Sequence, residues 1–369
     1  MYASLNKRKE NENERDGHLH GQKRYSKIID WLKRSEAKDI RMEPILRSQV
    51  ILFDSRKRWG LLFALATISG LFCVPLSSNI FLNGYLGSGF NDVPILEIFL
   101  LPLSTLLIIT GMYVFNDLMD ADLDRANGKT KRPIPSGKVP KSHAIIFIIA
   151  INLIGISIPA LMGNMVGLLF ISFIALIGIL YSVPKISLKD KFVIKTLAIA
   201  FAMMCALLLG SSKYLDIVLS SGGGSVLVPI SAGVIIALMV FVTSPLNDLG
   251  DVAGDKEAGR RTIPIVIGSQ NTVWLSFTFV LGIAIIAWSI YASEILSYSD
   301  NETTRHTLSS GKIVLPLAIS FVSILTIIHL LGILKQVDNL NFVRNSVTKK
   351  SMPLHMLLQF SLAIGCLLL

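Results

Sequence analysis

Long apolar runs separated by short polar ones dominate the chain. Apolar stretches near residues 60–83, 95–115, 144–180, 196–212, 226–246, 271–293, 313–334 and 352–369, uncharged but for Glu97, each approach or exceed the ~20 residues a helix needs to cross a bilayer. The 144–180 run is long enough for two such helices, with Gly163 and Asn164 supplying the turn, so the pattern predicts nine. The expected fold class is therefore all-α, a polytopic membrane protein. No short apolar core with a small-residue cleavage site opens the chain, so the first spanning helix is expected to direct insertion.

The amino end reads differently. Residues 1–25 mix Lys, Arg, Glu, Asn and Gly with almost no apolar content, too little to bury a core, and are predicted to be a disordered charged extension. Residues 26–58 bring apolar side chains back among basic ones, a pattern suited to helices lying at the cytoplasmic interface and interrupted near Pro44. Arg56, Lys57 and Arg58 then read as anchors of the first spanning helix.

Two of the polar connections repeat each other. Residues 116–137 read NDLMDADLDRANGKTKRPIPSG and residues 247–268 read NDLGDVAGDKEAGRRTIPIVIG, each emerging from an apolar run. Where the preceding helix continues, Asp117, Asp120 and Asp124 fall at i, i+3 and i+7, as do Asp248, Asp251 and Asp255, so each trio shares a helical face. Asp122 points away from the first trio, as a solvated group or the partner of a nearby Lys. Pro133, Pro135 and Pro264 read as helix terminators that shape the loops. The recurrence marks two internally related halves with the site between them.

Composition sharpens this picture. The chain of 369 residues is 52% hydrophobic and carries a formal charge of +10. Its Lys and Arg concentrate in the amino segment and in alternate connections, those after the second, fourth, sixth and eighth helices. Cytoplasmic flanks carry that excess, which predicts a cytoplasmic amino terminus, cytoplasmic acidic loops and an external carboxyl terminus in a cell membrane. Basic residues spread along membrane flanks suit anionic lipid and argue against nucleic acid as a partner. Cys73, Cys205 and Cys366 lie singly in apolar runs, where small buried hydrophobes are the simplest reading and no pairing is legible. The histidines are scattered, without metal-ligand or nucleophile spacing.

Carboxylates crowded on one face need a cation between them, and hard divalent cations that accompany phosphate prefer such oxygens. Two converging acidic clusters at a membrane surface point to Mg²⁺ sites gripping a diphosphate, with Arg132, Arg260, Arg261, Lys185 and Lys189 as candidate partners for its charge. Apolar space between the helices would hold a hydrocarbon tail, which makes a lipid diphosphate the best-suited substrate. A transporter with an ion site between duplicated halves is the reading from another class; carboxylates gathered at one bilayer face beside phosphate-suited Arg and Lys weigh against it.

NDLMDADLD followed by KRPIPSG, the YSVPK and LK residues after the fourth helix, and DVAGDKEAGRRTIPI together resemble the UbiA superfamily of intramembrane prenyltransferases from about residue 45 onward. The resemblance implies a helical domain over residues 59–369 around a central cavity, with both Asp-rich motifs binding Mg²⁺ and an isoprenoid diphosphate. By it, Asp117, Asp120, Asp124, Asp248, Asp251 and Asp255 hold metal, and Asn116, Arg132, Asn247, Arg260 and Arg261 contact diphosphate. Tyr181 and Lys185 match the catalytic Tyr-x-x-x-Lys element, and Lys189 is an alternative for its basic role. The wording is most similar to members that add geranylgeranyl to geranylgeranylglyceryl phosphate in archaeal ether-lipid synthesis. An aromatic acceptor, as in quinone, chlorophyll or haem side-chain attachment, is the alternative.

Overall fold

The structure, a computed structural model, describes residues 44–74, 94–126, 132–221, 225–257, 259–296 and 312–368. The expected disorder of residues 1–25, most of the expected interfacial segment and the polar tract at 297–311 lie outside the described residues. The chain divides into two units, residues 1–51 and 52–369. Of the first, the described residues 44–51 are helical.

The helices are α1 (Pro44–Phe72), α2 (Pro94–Met119), the short α3 (Ala121–Ala126), α4 (Lys141–Leu161), α5 (Met165–Ser182), α6 (Ile194–Gly210) and α7 (Ser212–Ser221). There follow α8 (Leu227–Leu249), the short α9 (Val252–Glu257) and α10 (Ile263–Ile267), α11 (Ser269–Leu296), α12 (Val314–Lys335) and α13 (Leu340–Leu367). No strand occurs among the described residues. Among the described residues six helices, α2, α4, α5, α8, α11 and α12, are long and apolar enough to cross a membrane, and α6 with α7, bent by 73° at their junction, makes up to seven. The expected count of nine is thus not reached by these criteria. The two remaining apolar runs lie in α1 and α13, whose other halves carry Arg56, Lys57 and Arg58, and Arg344, Lys349 and Lys350.

Large apolar side chains cover both faces of the spanning helices. Ile285, Phe321 and Ile328 stand exposed while Ile283, Val322 and Leu330 on the same helices are buried. A helix that is apolar all round suits lipid on one side and protein on the other, and the chain is a multi-pass membrane protein.

Local chemistry sets the element ends. Gly163, at φ +67°, closes α4, and the Asn164 side chain caps α5 by accepting from the Gly167 amide at 2.7 Å, as the sequence predicts for this turn. Pro264 departs from expectation: it sits at the start of α10, where its missing N–H costs no helical bond, and so begins an element instead of ending one. Pro102, Pro159, Pro245 and Pro353 lie inside helices, as spanning helices packed on neighbours tolerate.

In the second unit, α2 packs on α4 and α5, α5 on α6, α6 on α8, α8 on α11 and α13, and α12 on α11 and α13. The apolar half of α1 meets three of these. A Cβ on Gly60 would lie 2.8 Å from the Leu106 carbonyl of α2. Thr67 and Thr105 share a 2.8 Å hydrogen bond, and Ser69 donates to the Gln359 carbonyl of α13 at 2.9 Å. Against α6 the approach is closest: a Cβ on Gly70 would stand 1.8 Å from the Leu207 carbonyl oxygen, and one on Gly210 2.0 Å from that of Thr67. Paired glycines let backbones touch where lipid offers helices no hydrophobic drive to associate.

Candidate functional site

The first acidic stretch continues α2 almost without interruption. The Asp120 amide donates to the Asn116 carbonyl at 3.0 Å and the Asp124 amide to that of Asp120 at 2.8 Å, so the spiral persists through the junction with α3. Asp117 and Asp124 consequently share a side, and Arg132 reaches both, at 3.1 and 2.7 Å. Arg56 of α1 grips Asp117 with two donors, Nε and an Nη, each at 2.5 Å, a fork geometry suited to carboxylate. Asp120, one turn along from Asp117 on the continuing spiral, meets Lys189 at 2.5 Å, which also donates to Asn116 Oδ1 at 3.1 Å.

The second stretch turns more tightly. The Asp251 amide bonds back to the Asp248 carbonyl, three residues away, at 3.0 Å before α9 resumes, and the expected common face is split. Asp248 and Asp255 are buried, whereas the Asp251 side chain is 56% exposed and meets Arg344 of α13 at 3.3 Å. Here α13 passes close by: a Cβ on Gly250 would be in ordinary contact, at 3.4 Å, with the Arg344 Cα. Lys195 donates to Asp248 at 2.5 Å, and Arg260 contacts Asp255 at 3.2 Å. Partial burial opposes charge on Arg260, but its hydrogen bond to Asp255 and the charges of Asp255, Asp190 and Asp120 outweigh that and raise its pKa.

The connection from α5 to α6 joins the two motifs. Within its 3₁₀ turn, Leu188–Asp190, Lys189 holds Asp120 of the first motif while Asp190 accepts from Arg260 Nε of the second at 3.2 Å. The Asp190 carbonyl also takes the Arg261 amide at 3.2 Å. Two left-handed residues bracket the turn, Ser187 at φ 35° and Val193 at φ 57°. A β-branched residue rarely adopts such a φ, and strain of this kind persists only where surrounding contacts over-determine the backbone. Here those contacts are the ion pairs and the hydrogen bond from Ser187 to Asp190.

Beneath the first motif lies an apolar cavity of about 70 Å³, lined from α1, α2, α5 and α6. Asn116, Tyr181 and Ser182 form its polar end, and Phe63, Ile109 and Ala202 are among its apolar walls. Tyr113 lines it too and stacks on Trp59 of α1, with ring centroids 5.5 Å apart and planes 11° apart. The cavity takes no residue from α8 or later helices, so it lies under the first motif and not midway between the halves; Lys195 and Asp190 bring the second motif to it.

Of the expected residues, Lys189 and not Lys185 reaches the acidic stretch; Lys185 is exposed with no ion pair among the described residues. Asn247 and Arg261 are also exposed. Asp122 pairs with Lys141 at 2.8 Å, the role its position on the helical wheel suggests, and that hydrogen bond lowers its pKa. Asp122→Asn is expected to leave activity within about twofold of wild type, because exposed pairs contribute little; a parallel rate assay checks this. Arg56, Asp190, Lys195 and Arg344 were not legible as site residues. Arg56 lies 61 residues from Asp117 and Arg344 93 from Asp251, and membrane flanking alone accounts for Arg56 and Lys195 in a linear reading.

The donor set fits a hard cation. Every carboxylate here offers oxygen, and Asp248 Oδ2 is buried without a hydrogen-bond partner, an acceptor position that invites one. No group of three or more ligating side chains converges among the described residues. Mg²⁺ typically takes only one or two protein carboxylates and completes its shell from water and phosphate.

Comparison with known proteins agrees with this geometry. A protein named digeranylgeranylglyceryl phosphate synthase from Sulfolobus acidocaldarius is 30% identical over 192 residues, 51% of this chain and 64% of the relative. Its namesake from Ignicoccus hospitalis is 30% identical over 194 residues, 53% of this chain and 61% of the relative. The chain thus spans a little under two thirds of the length of these curated relatives. Among solved structures, one of digeranylgeranylglyceryl phosphate synthase in membranes superposes with TM-score 0.59 at 21% identity, covering 89% of this chain and 100% of the other. A UbiA homolog from Archaeoglobus fulgidus bound to DMAPP and Mg²⁺ does so with TM-score 0.58 at 19% identity, covering 86% and 97%. Residues 79–299, which contain both acidic stretches and the α5–α6 connection between them, match the UbiA prenyltransferase family, and the chain belongs to that family.

Proposed function

We propose that the protein transfers a prenyl group, geranylgeranyl, from its diphosphate to a lipophilic acceptor, geranylgeranylglyceryl phosphate, in ether-lipid synthesis. The observation that carries this reading is the pairing of two acidic motifs, joined through Lys189 and Asp190, with an apolar cavity whose polar end is Asn116, Tyr181 and Ser182. The names of the curated relatives and the ligands of the structural neighbour support it.

Asp117, Asp120, Asp124, Asp248, Asp251 and Asp255 would hold Mg²⁺, which when bound neutralises diphosphate charge as the allylic carbon–oxygen bond breaks. The side chains now pairing these carboxylates are a ready supply of phosphate partners. Arg132 and Arg260 lie within the motifs, with Asn116, Asn247 and Arg261 beside them, and Arg56, Lys189 and Lys195 are close enough to turn from carboxylate to phosphate oxygen. Tyr181 lines the cavity next to Ser182, placed to orient the reacting end of the prenyl chain. Phe63, Ile109 and Ala202 meet the first carbons of its apolar tail, the cavity at about 70 Å³ being too small for the whole chain, and exclude water from the cation formed on departure. The motif end faces the cytoplasm in this reading, with the carboxyl terminus outside, because the basic connections gather there.

Purified protein given labelled geranylgeranyl diphosphate, Mg²⁺ and a panel of acceptors is expected to label geranylgeranylglyceryl phosphate, and EDTA to abolish the signal. Label on an aromatic acceptor alone would redirect the assignment to quinone-type chemistry. Absence of product with every acceptor, alongside solute uptake in vesicles, would favour transport.

A further inference from the structure

Cys73 follows the last residue of α1 and Cys366 lies in the last turn of α13. Both are buried, at 0% and 1% exposure, and their sulfurs stand 2.8 Å apart. Thiols are weak donors and weak acceptors, yet these two approach more closely than typical amide–carbonyl partners do, although sulfur is the larger atom. Both are free thiols in this structure, and the two helix ends aim them at one point, sealed from solvent.

The location is informative. From Arg56 to Cys73 along α1 is about 25 Å, and from Arg344 to Cys366 along α13 about 33 Å. Arg56 and Arg344 each touch an acidic motif, so the two thiols meet at the opposite end of the bundle from the chemistry. Cys205, buried within α6, has no sulfur partner among the described residues and serves as an internal control.

We infer that Cys73 and Cys366 form a disulfide that staples α1 to α13 in the membrane-inserted protein. The chemistry is thiol–disulfide exchange with a disulfide-bearing oxidant. One thiolate attacks the oxidant, forming a mixed disulfide and releasing one oxidant thiol, and the second cysteine thiolate then displaces the other. Two protein thiols become one S–S bond, the oxidant takes up the two electrons, and the two protons pass to its thiols. The bond closes a loop between residues 293 apart, and longer loops lose more unfolded-state entropy on closure. Burial then shields the bond from reductants. It fastens the far end while leaving the acidic end free to admit substrate.

Cells are quenched with N-ethylmaleimide, and the protein is purified without reductant, unfolded in fresh N-ethylmaleimide so that the buried thiols meet it, and digested. Expected is one adduct, on Cys205, with a peptide pair joining Cys73 to Cys366 that separates on reduction. Three adducts and no joined pair would overturn the inference. Reductant is also expected to lower the thermal midpoint of the wild type but not of the Cys73→Ser/Cys366→Ser variant; an equal shift in both would likewise count against the bond. Should that variant fail to insert, the wild-type trapping result still decides.

Discussion

Asp120→Asn is expected to lower prenyl transfer by about 10²–10³-fold, the loss typical of removing one electrostatic element from a catalytic site, while the protein inserts and folds as before. The substitution keeps the size of the side chain and removes its charge. Two consequences coincide. The carboxylate that would take a metal becomes a weak neutral ligand, and Lys189, now 2.5 Å from Asp120, loses the counter-charge that positions it at Asn116 and the cavity. The measurement is turnover at saturating geranylgeranyl diphosphate across a Mg²⁺ titration, with insertion checked by size-exclusion profile. Asp251→Asn is expected to abolish transfer as well, through the second motif. Wild-type turnover in both variants at ordinary Mg²⁺ would reject the assignment of these motifs to metal.

Gly70→Leu is expected to produce the largest structural effect, about 3 kcal/mol or more of destabilisation, seen as a collapse of the monodisperse fraction in detergent and a lower thermal midpoint. The added Cβ alone would stand 1.8 Å from the Leu207 carbonyl oxygen, a backbone atom that cannot rotate away. The α1–α6 crossing must then open, and with it the Thr67–Thr105 and Ser69–Gln359 hydrogen bonds that tie α1 to α2 and α13. Gly332→Ala is the control, since nothing lies within 4 Å of a Cβ there. Comparable losses in the two variants would show that the crossing is not what holds α1.

Features written in local chemistry were legible in the sequence. Among the described residues the apolar runs fall largely within helices, the Gly163–Asn164 turn is where its residues place it, and the acidic stretches emerge from α2 and α8. Count and convergence were harder. Hydropathy marked α1 and α13 as spans through their apolar halves, but each is one continuous helix whose other half carries charge, and α1 runs unbroken across residues 58 and 59. The split of the second trio turns on a three-residue backbone bond at Asp251 and on Arg344 of α13, which meets Asp251 from outside the stretch; an ideal helical wheel contains neither. Arg56 and the Cys73–Cys366 contact depend on residues far apart in the chain, and such distances are decided by packing.

Lys189 and Asp190 are consecutive, and each holds a different motif. One short turn, Leu188–Asp190, therefore carries a counter-charge for each half, and any change that shifts the backbone of that turn is felt at both motifs together.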